Sequence, residues 1–110
     1  MPSRNLPQVS EQNFEEEVLR SSVPVIVDFT GKYCAPCRQI EPILEELSRE
    51  FADRLKVVQL DVEEGPQVAA KAGVRAIPTL IIYKNGSPIA THKGAAPKPI
   101  LKRFFEQALV

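Results

Sequence analysis

Residues 24–37, PVIVDFTGKYCAPC, join an apolar run to a pair of closely spaced cysteines. The run at 24–29 is almost continuously apolar, which is typical of a strand covered on both faces in a parallel sheet. Beyond the cysteines, apolar residues recur at helical spacing and predict a helix over residues 35–52. Cys34 and Cys37 are therefore predicted to lie where a buried strand leads into a helix.

The rest of the chain alternates between strand and helix patterns. Further strands are predicted at residues 7–9, 55–62, 78–84 and 88–93, and further helices at 11–21, 65–72 and 97–109. Asn85-Gly86 is a two-residue hairpin signal, so the last two strands should pair antiparallel. Right-handed crossovers make the first three strands parallel. This order predicts an α/β fold with a mixed sheet and helices on both faces.

Length and composition indicate a single domain over residues 1–110. The chain is 44% hydrophobic and 25% charged, close to an ordinary globular domain. Its apolar runs are much shorter than the roughly 20 residues that span a bilayer, and the first twenty residues lack the apolar core of a signal peptide. We therefore expect a cytoplasmic monomer without a membrane partner. Two cysteines are too few for a disulfide framework.

The net charge of +0 hides an asymmetry between the two halves of the chain. Residues 1–64 contain 13 acids and 7 bases, a balance of −6, whereas residues 65–110 contain 7 bases and one acid, a balance of +6. The favoured interpretation is that the halves pack together and neutralise each other. The alternative is a molecule with an acidic and a basic side that steers partners. The zero sum argues against nucleic acid as a partner.

The two cysteines are spaced for redox chemistry. Residues three apart on a helix are neighbours, so the sulfurs of Cys34 and Cys37 can form a disulfide. The N–H groups and the dipole at a helix N-terminus stabilise a thiolate, the species that attacks disulfides. Cys34 should be the exposed attacking thiol and Cys37 the shielded resolving thiol. A metal site is a weaker interpretation, because His92 is the only histidine and zinc would need a partner chain.

Asp28 and Pro78 are the next candidates. Asp28 lies inside the apolar strand, where burial should raise its pKa. It is either a proton acceptor and donor for Cys37 or a cap for a neighbouring turn, and spacing alone does not decide between them. Pro78 opens a predicted core strand, and general frequencies favour a trans peptide bond before it.

Several stretches together make the chain resemble the thioredoxin family almost from end to end. They are VDF before the cysteines, CAPC, the helix with Pro42, GVRAIPTL, IIYKNG and KGA. The resemblance implies a thioredoxin fold, with a five-stranded mixed sheet flanked by four helices. It implies that Cys34 is the nucleophile, Cys37 the resolving thiol and Asp28 the buried acid.

The same resemblance implies a groove for a substrate peptide beside the cysteines. In this groove the Ile77-Pro78 bond would be cis and would offer backbone groups to the peptide. The expected substrate-binding residues are Tyr33, Ala35, Pro36, Ala76, Ile77, Pro78 and Gly94.

The chain departs from the family around the cysteines. Thr30 and Tyr33 stand where the family usually has tryptophans, so Thr30 removes packing surface and Tyr33 keeps an aromatic ring beside the motif. Lys32 and Arg38 should bring positive charge toward Cys34 and favour its thiolate.

A second departure concerns the buried acid. Gln59 stands where many members of the family have a lysine. Because that positive charge is missing, Asp28 should be harder to ionise. Lys32, Arg38 and Gln59 are therefore expected to tune the redox site.

These observations favour a thiol–disulfide oxidoreductase that reduces protein disulfides through a Cys34/Cys37 cycle. By resemblance, a flavin- and NADPH-dependent thioredoxin reductase would regenerate the dithiol, and the protein itself should bind no cofactor or metal. One alternative is a dedicated disulfide oxidant or isomerase. Another is a redox-gated or non-catalytic module that binds or chaperones other proteins.

Overall fold

A four-stranded mixed sheet organises the computed structural model, which describes residues 3–110. Its strands are β1 (Val25–Thr30), β2 (Lys56–Asp61), β3 (Thr79–Lys84) and β4 (Ser87–Lys93). The spatial order is β2-β1-β3-β4, with β1 parallel to β2 and β3 antiparallel to both β1 and β4. All six residues of β1 are buried, which explains the continuous apolar run in the sequence.

Between residues 3 and 110, four helices flank the sheet, as predicted. They are a short π-helix (Glu15–Leu19), α1 (Ala35–Glu50), α2 (Pro66–Lys71) and α3 (Lys98–Glu106), and a 3₁₀ turn (Gln107–Leu109) extends the last. The first helix is shorter than the predicted range 11–21, because a turn occupies residues 11–13. Within residues 3–110, every helix is too short or too polar to cross a membrane.

Each face of the sheet has its own apolar core. Ile26, Leu80 and Ile82 pack with α1 and α3 on one face. Val27 and Ile81 pack with the π-helix and α2 on the other. The prediction of helices on both faces is confirmed.

The predicted fifth strand at residues 7–9 is wrong. In its place is a single parallel bridge between Gln8 and Gln59. The Gln59 N–H donates to the Pro7 carbonyl at 2.8 Å, and the Val9 N–H donates to the Gln59 carbonyl at 2.9 Å. Pro7 has no N–H with which to continue the ladder, and the Gln8 side chain bonds to the backbone carbonyls of Ser3 and Leu6. The bridge is parallel, as predicted for the first strand.

The acidic and basic halves of the chain meet where α1 packs beside α3. Lys98 donates to Glu46 at 2.7 Å and to Glu50 at 2.6 Å, and Lys102 lies 3.6 Å from Glu50. These contacts support the interpretation that the two halves neutralise each other. The pairs are exposed, so their effect on stability is small.

Candidate active site

Cys34 and Cys37 form a disulfide at the N-terminus of α1, with sulfurs 2.12 Å apart and Cα atoms 5.2 Å apart. Cys34 is the N-cap residue, and its sulfur accepts a hydrogen bond from the Cys37 N–H at 3.2 Å. Pro36 is tolerated in the first turn, where its missing N–H breaks no helical bond. Cys34 is partly exposed and Cys37 is completely buried. This difference is the one expected between an attacking and a resolving sulfur.

The cis-proline lies at the same end of the sheet as the loop that leads to Cys34. Phe29 pairs with Thr79, so the end of β1 adjoins the start of β3 and the proline before it. The Ile77-Pro78 peptide bond is cis, as the resemblance implied. The Gly94 N–H donates to the Pro78 carbonyl at 2.9 Å, which brings Gly94 to the same place.

The loop between β1 and α1 packs directly against the cis-proline loop. Gly31 is buried, and a Cβ atom at this position would lie only 2.6 Å from Cδ1 of Ile77. A glycine therefore allows the two loops to approach each other closely. The structure thus brings the disulfide loop, Ile77-Pro78 and Gly94 into one region.

Most of the predicted substrate-binding side chains face solvent. Tyr33 is 99% exposed, and Ala35, Pro36 and Ala76 are also exposed. Lys32 is exposed as well. The partly exposed Cys34 and the exposed ring of Tyr33 next to it are therefore accessible from the solvent.

Asp28 is completely buried on the face of β1 that packs against α1. Its Oδ2 accepts a hydrogen bond from Gln59 Nε2 at 3.0 Å, and among residues 3–110 its Oδ1 has no hydrogen-bond partner. Burial raises the pKa of Asp28 from 3.8 to about 7, although the Gln59 hydrogen bond opposes this shift. The negative charge of Glu41 raises the pKa further, and the positive charge of Arg38 lowers it. The carboxyl group is thus poised to exchange a proton near neutral pH.

The side-chain amide of Gln59 uses its full hydrogen-bonding capacity. Its Nε2 donates to Asp28 and, at 2.8 Å, to Oε2 of Glu41. Its Oε1 accepts from the Ser3 N–H at 3.0 Å and from Gln8 Nε2 at 2.9 Å. An amide offers two donors and two acceptor sites, and all four are engaged here. Burial is the main cause of the raised pKa of Asp28, and the Gln59 hydrogen bond partly opposes it. The predicted effect of the missing lysine charge on Asp28 stays a prediction.

Arg38 connects the disulfide loop to the second turn of α1. Its Nη2 donates to Thr30 Oγ1 at 2.9 Å and to the Gly31 carbonyl at 2.7 Å. Its Nη1 lies 3.5 Å from Oε2 of Glu41. Thr30 is 1% exposed, so its hydroxyl group receives this hydrogen bond in the interior of the protein. The predicted effect of Arg38 on Cys34 stays a prediction.

Sequence reasoning missed Glu41. It follows Cys37 by four residues and Arg38 by three, so it lies one turn further along the same side of α1. That spacing could have indicated a polar residue placed behind the cysteines. The signal was hidden because Glu41 precedes Pro42 and interrupts an otherwise apolar face.

Two surface cavities show where small groups could fit. The larger, about 480 Å³, is lined by Phe14, Tyr83 and their neighbours and contains none of the predicted site residues. The smaller, about 170 Å³, lies beside the cis-proline and includes Val62, Arg75, Ala76 and Ile77 in its lining. Across residues 3–110, groups of three or more side chains that could hold a metal are absent.

Comparison with known proteins gives a consistent result. The thioredoxin family model matches residues 5–107. Thioredoxin 1 of Synechococcus elongatus is 42% identical over 101 residues, covering 92% of this chain and 94% of that protein. The thioredoxin of Rhodospirillum rubrum is 44% identical over 104 residues, covering 94% and 100%. That of Acidithiobacillus ferridurans is 45% identical over 101 residues, covering 92% and 94%.

The raised pKa of Asp28 predicts how stability changes with pH. Between pH 4 and 7 the folded state keeps a proton that the unfolded state loses, so rising pH destabilises the protein through this group. Asp28→Asn removes the effect. The free energy of unfolding of the variant minus that of the wild type should therefore be about 3–4 kcal/mol larger at pH 8 than at pH 4. Guanidinium unfolding of the oxidised proteins at both pH values measures this difference.

Asp53→Asn is the matched control, because the Asp53 side chain is 83% exposed. Its effect on stability should be small at both pH values. An Asp28→Asn effect that is equal at pH 4 and pH 8 would contradict a raised pKa.

Proposed function

This chain belongs to the thioredoxin family and is a thiol–disulfide oxidoreductase, and on that premise we propose how its residues divide the reaction. Cys34 is the attacking thiol and Cys37 the resolving thiol. Asp28 is the proton partner of Cys37. The observation that best supports this division is the contrast between a partly exposed Cys34 and a buried Cys37 that share one disulfide.

The first step is attack by the Cys34 thiolate on a substrate disulfide. A bond forms between Cys34 Sγ and one substrate sulfur, and the other substrate sulfur leaves as a thiolate. The α1 N-terminus favours the negative charge on Cys34, because unpaired N–H groups and the helix dipole point toward it. Lys32, two residues earlier in the chain, adds a positive charge on the same loop.

The second step is resolution by Cys37. Its thiol loses a proton to the Asp28 carboxylate, and the resulting thiolate attacks Cys34 Sγ. The mixed disulfide breaks, and the second substrate sulfur leaves as a thiolate. The substrate has then gained two electrons, and the protein keeps the Cys34–Cys37 disulfide found in this structure. A carboxyl group that titrates near 7 is better matched to this transfer than one near 4.

The substrate surface is proposed to consist of the exposed motif and the cis-proline loop. Tyr33 supplies an aromatic contact next to Cys34, and backbone groups near Pro78 and Gly94 bind the peptide that carries the disulfide. The cavity beside Ile77 can take a small apolar side chain of that peptide. Ala35, Pro36 and Ala76 complete this surface.

Regeneration requires an electron donor. By analogy with the family, a thioredoxin reductase that draws on NADPH supplies two electrons and restores both thiols, while this protein holds no cofactor of its own. We also propose a cytoplasmic location, because a protein reductant works where a reducing pool keeps thiols reduced.

Reduction of insulin disulfides by dithiothreitol tests the proposed function. The wild type should accelerate the reaction, whereas Cys34→Ser should remain at background because it lacks the attacking thiolate. In a separate reaction, pre-reduced Cys37→Ser from which dithiothreitol has been removed should attack insulin once and accumulate a mixed disulfide through Cys34, which intact-mass spectrometry detects. Wild-type turnover at background would contradict the reductase and favour a binding module.

Lys32→Glu tests the contribution of charge near Cys34. Replacing the cation by an anion should disfavour the thiolate, so the pH midpoint of Cys34 alkylation should rise by a few tenths of a unit. Lys71→Glu is a matched control, because Lys71 is an exposed cation in the last turn of α2. Equal midpoints in the wild type and Lys32→Glu would contradict a role for Lys32 in tuning the site.

A further inference from the structure

Glu41 shares one amide with the buried acid. The two N–H groups of the Gln59 amide point to two different carboxylates, Asp28 at 3.0 Å and Glu41 at 2.8 Å. The Glu41 side chain is only 12% exposed. The two carboxyl groups are therefore linked by one neutral side chain in a region with little water, where charges interact strongly.

Arg38 is the cation of this cluster, and it lies on the Glu41 side. Its Nη1 is 3.5 Å from Glu41 Oε2, and its Nη2 is bonded to Thr30 and Gly31. The Glu41 carboxyl group and the Arg38 guanidinium group therefore lie within ion-pair distance of each other. Asp28 is completely buried, and its Oδ2 accepts a hydrogen bond from the neutral Gln59 amide. The negative charge of Glu41 raises its pKa, and the positive charge of Arg38 lowers it.

Other polar groups approach the cluster from the elements packed around it. Glu45, one turn along α1, accepts a hydrogen bond from the Ser3 hydroxyl. Asp61 ends β2 opposite Thr30, two residues after Gln59. On the other side of Asp28, β3 presents the apolar Leu80, and His92 of β4 lies beyond it and packs against Phe104. On α1 itself, Cys37 precedes Glu41 by four residues, which is about one helical turn.

We propose that Glu41 is a positioning residue for the resolving step: its carboxylate, joined to Asp28 through the Gln59 amide, adds to the effect of burial and makes Asp28 a better base for Cys37. This inference rests on the proposed role of Asp28 as proton partner of Cys37. An isolated carboxylate is a poor match for a thiol, because their ordinary pKa values differ by more than four units. Glu41 narrows that difference without touching the substrate.

Glu41→Gln isolates the charge, because the new amide oxygen can still accept the Gln59 hydrogen bond. Both loss of the anion and release of Arg38 from its partner should lower the proton affinity of Asp28. We expect its titration midpoint in the reduced protein, followed by carbon-detected NMR, to fall by about half a unit to one unit. The acidic limb of the pH profile of kcat for insulin reduction should move to lower pH by a similar amount. The rate at pH 8 should fall about two- to threefold, because the base is weaker.

Two further variants keep the test specific. Glu41→Asp retains the charge near Gln59 and should recover at least half of the shift in the Asp28 midpoint. Glu46→Gln makes the same chemical change on the same helix, at a residue that pairs with Lys98 on the surface, and should leave both readouts unchanged.

The outcomes separate this inference from the proposed function. An unchanged Asp28 midpoint in Glu41→Gln overturns the inference. A shifted midpoint with an unchanged pH profile overturns the assignment of Glu41 to the resolving step. If the proposed function is wrong, the wild type shows no turnover at any pH. That result also overturns the assignment of Glu41 to the resolving step. Parallel shifts in both readouts, with recovery in Glu41→Asp, support the inference.

Discussion

A carboxyl group buried in the central strand of the sheet is the constraint on which the active site depends. Burying a charged Asp28 between β1 and α1 costs free energy, and one of its oxygens has no hydrogen-bond partner among residues 3–110. Two features reduce this cost. The carboxyl group is mostly protonated below pH 7, and its other oxygen accepts a hydrogen bond from Gln59. We expect reduced stability at high pH as the consequence, and we propose a proton acceptor for Cys37 as the corresponding functional gain.

The reactive surface depends on contacts between loops that are far apart in the sequence. Gly31 packs against Ile77, and Gly94 is bonded to Pro78, so the loops after β1, before β3 and after β4 converge at one end of the sheet. The disulfide lies there, and we propose that the other two loops form the place where a peptide binds. Arg38 and Glu41 both belong to α1, whose N-cap residue is Cys34. The contacts of Arg38 with Gly31 and with Glu41 connect this surface to the interior.

Local patterns predicted much of this arrangement. The apolar run of β1, the helical spacing after Cys37 and the Asn85-Gly86 turn each act within a few residues, so sequence alone indicates them. Asn85 and Gly86 do adopt positive φ angles of 54° and 83°. The cis form of Pro78 and the grouping of Gly94 with it came from resemblance to a family, because no local pattern carries that information.

The errors and omissions have physical causes. Residues 7–9 have the composition of a strand, but Pro7 limits the ladder to one bridge. The four hydrogen bonds of Gln59 could not be predicted, because their partners come from the N-terminal segment, β1 and α1. Glu41 was missed because its hydrogen bond with Gln59 of β2 joins residues that are far apart in the sequence, although its pairing with Arg38 follows from helical spacing.

The proposed resolving step requires Asp28 to be a buried acid that exchanges a proton near neutral pH. Carbon-detected NMR of the Asp28 carboxyl in the wild-type protein, titrated from pH 3 to 10, measures this directly. We expect a midpoint near 7. A midpoint near about 4, the value of an ordinary exposed aspartate, would contradict it and would remove Asp28 as the proton partner of Cys37.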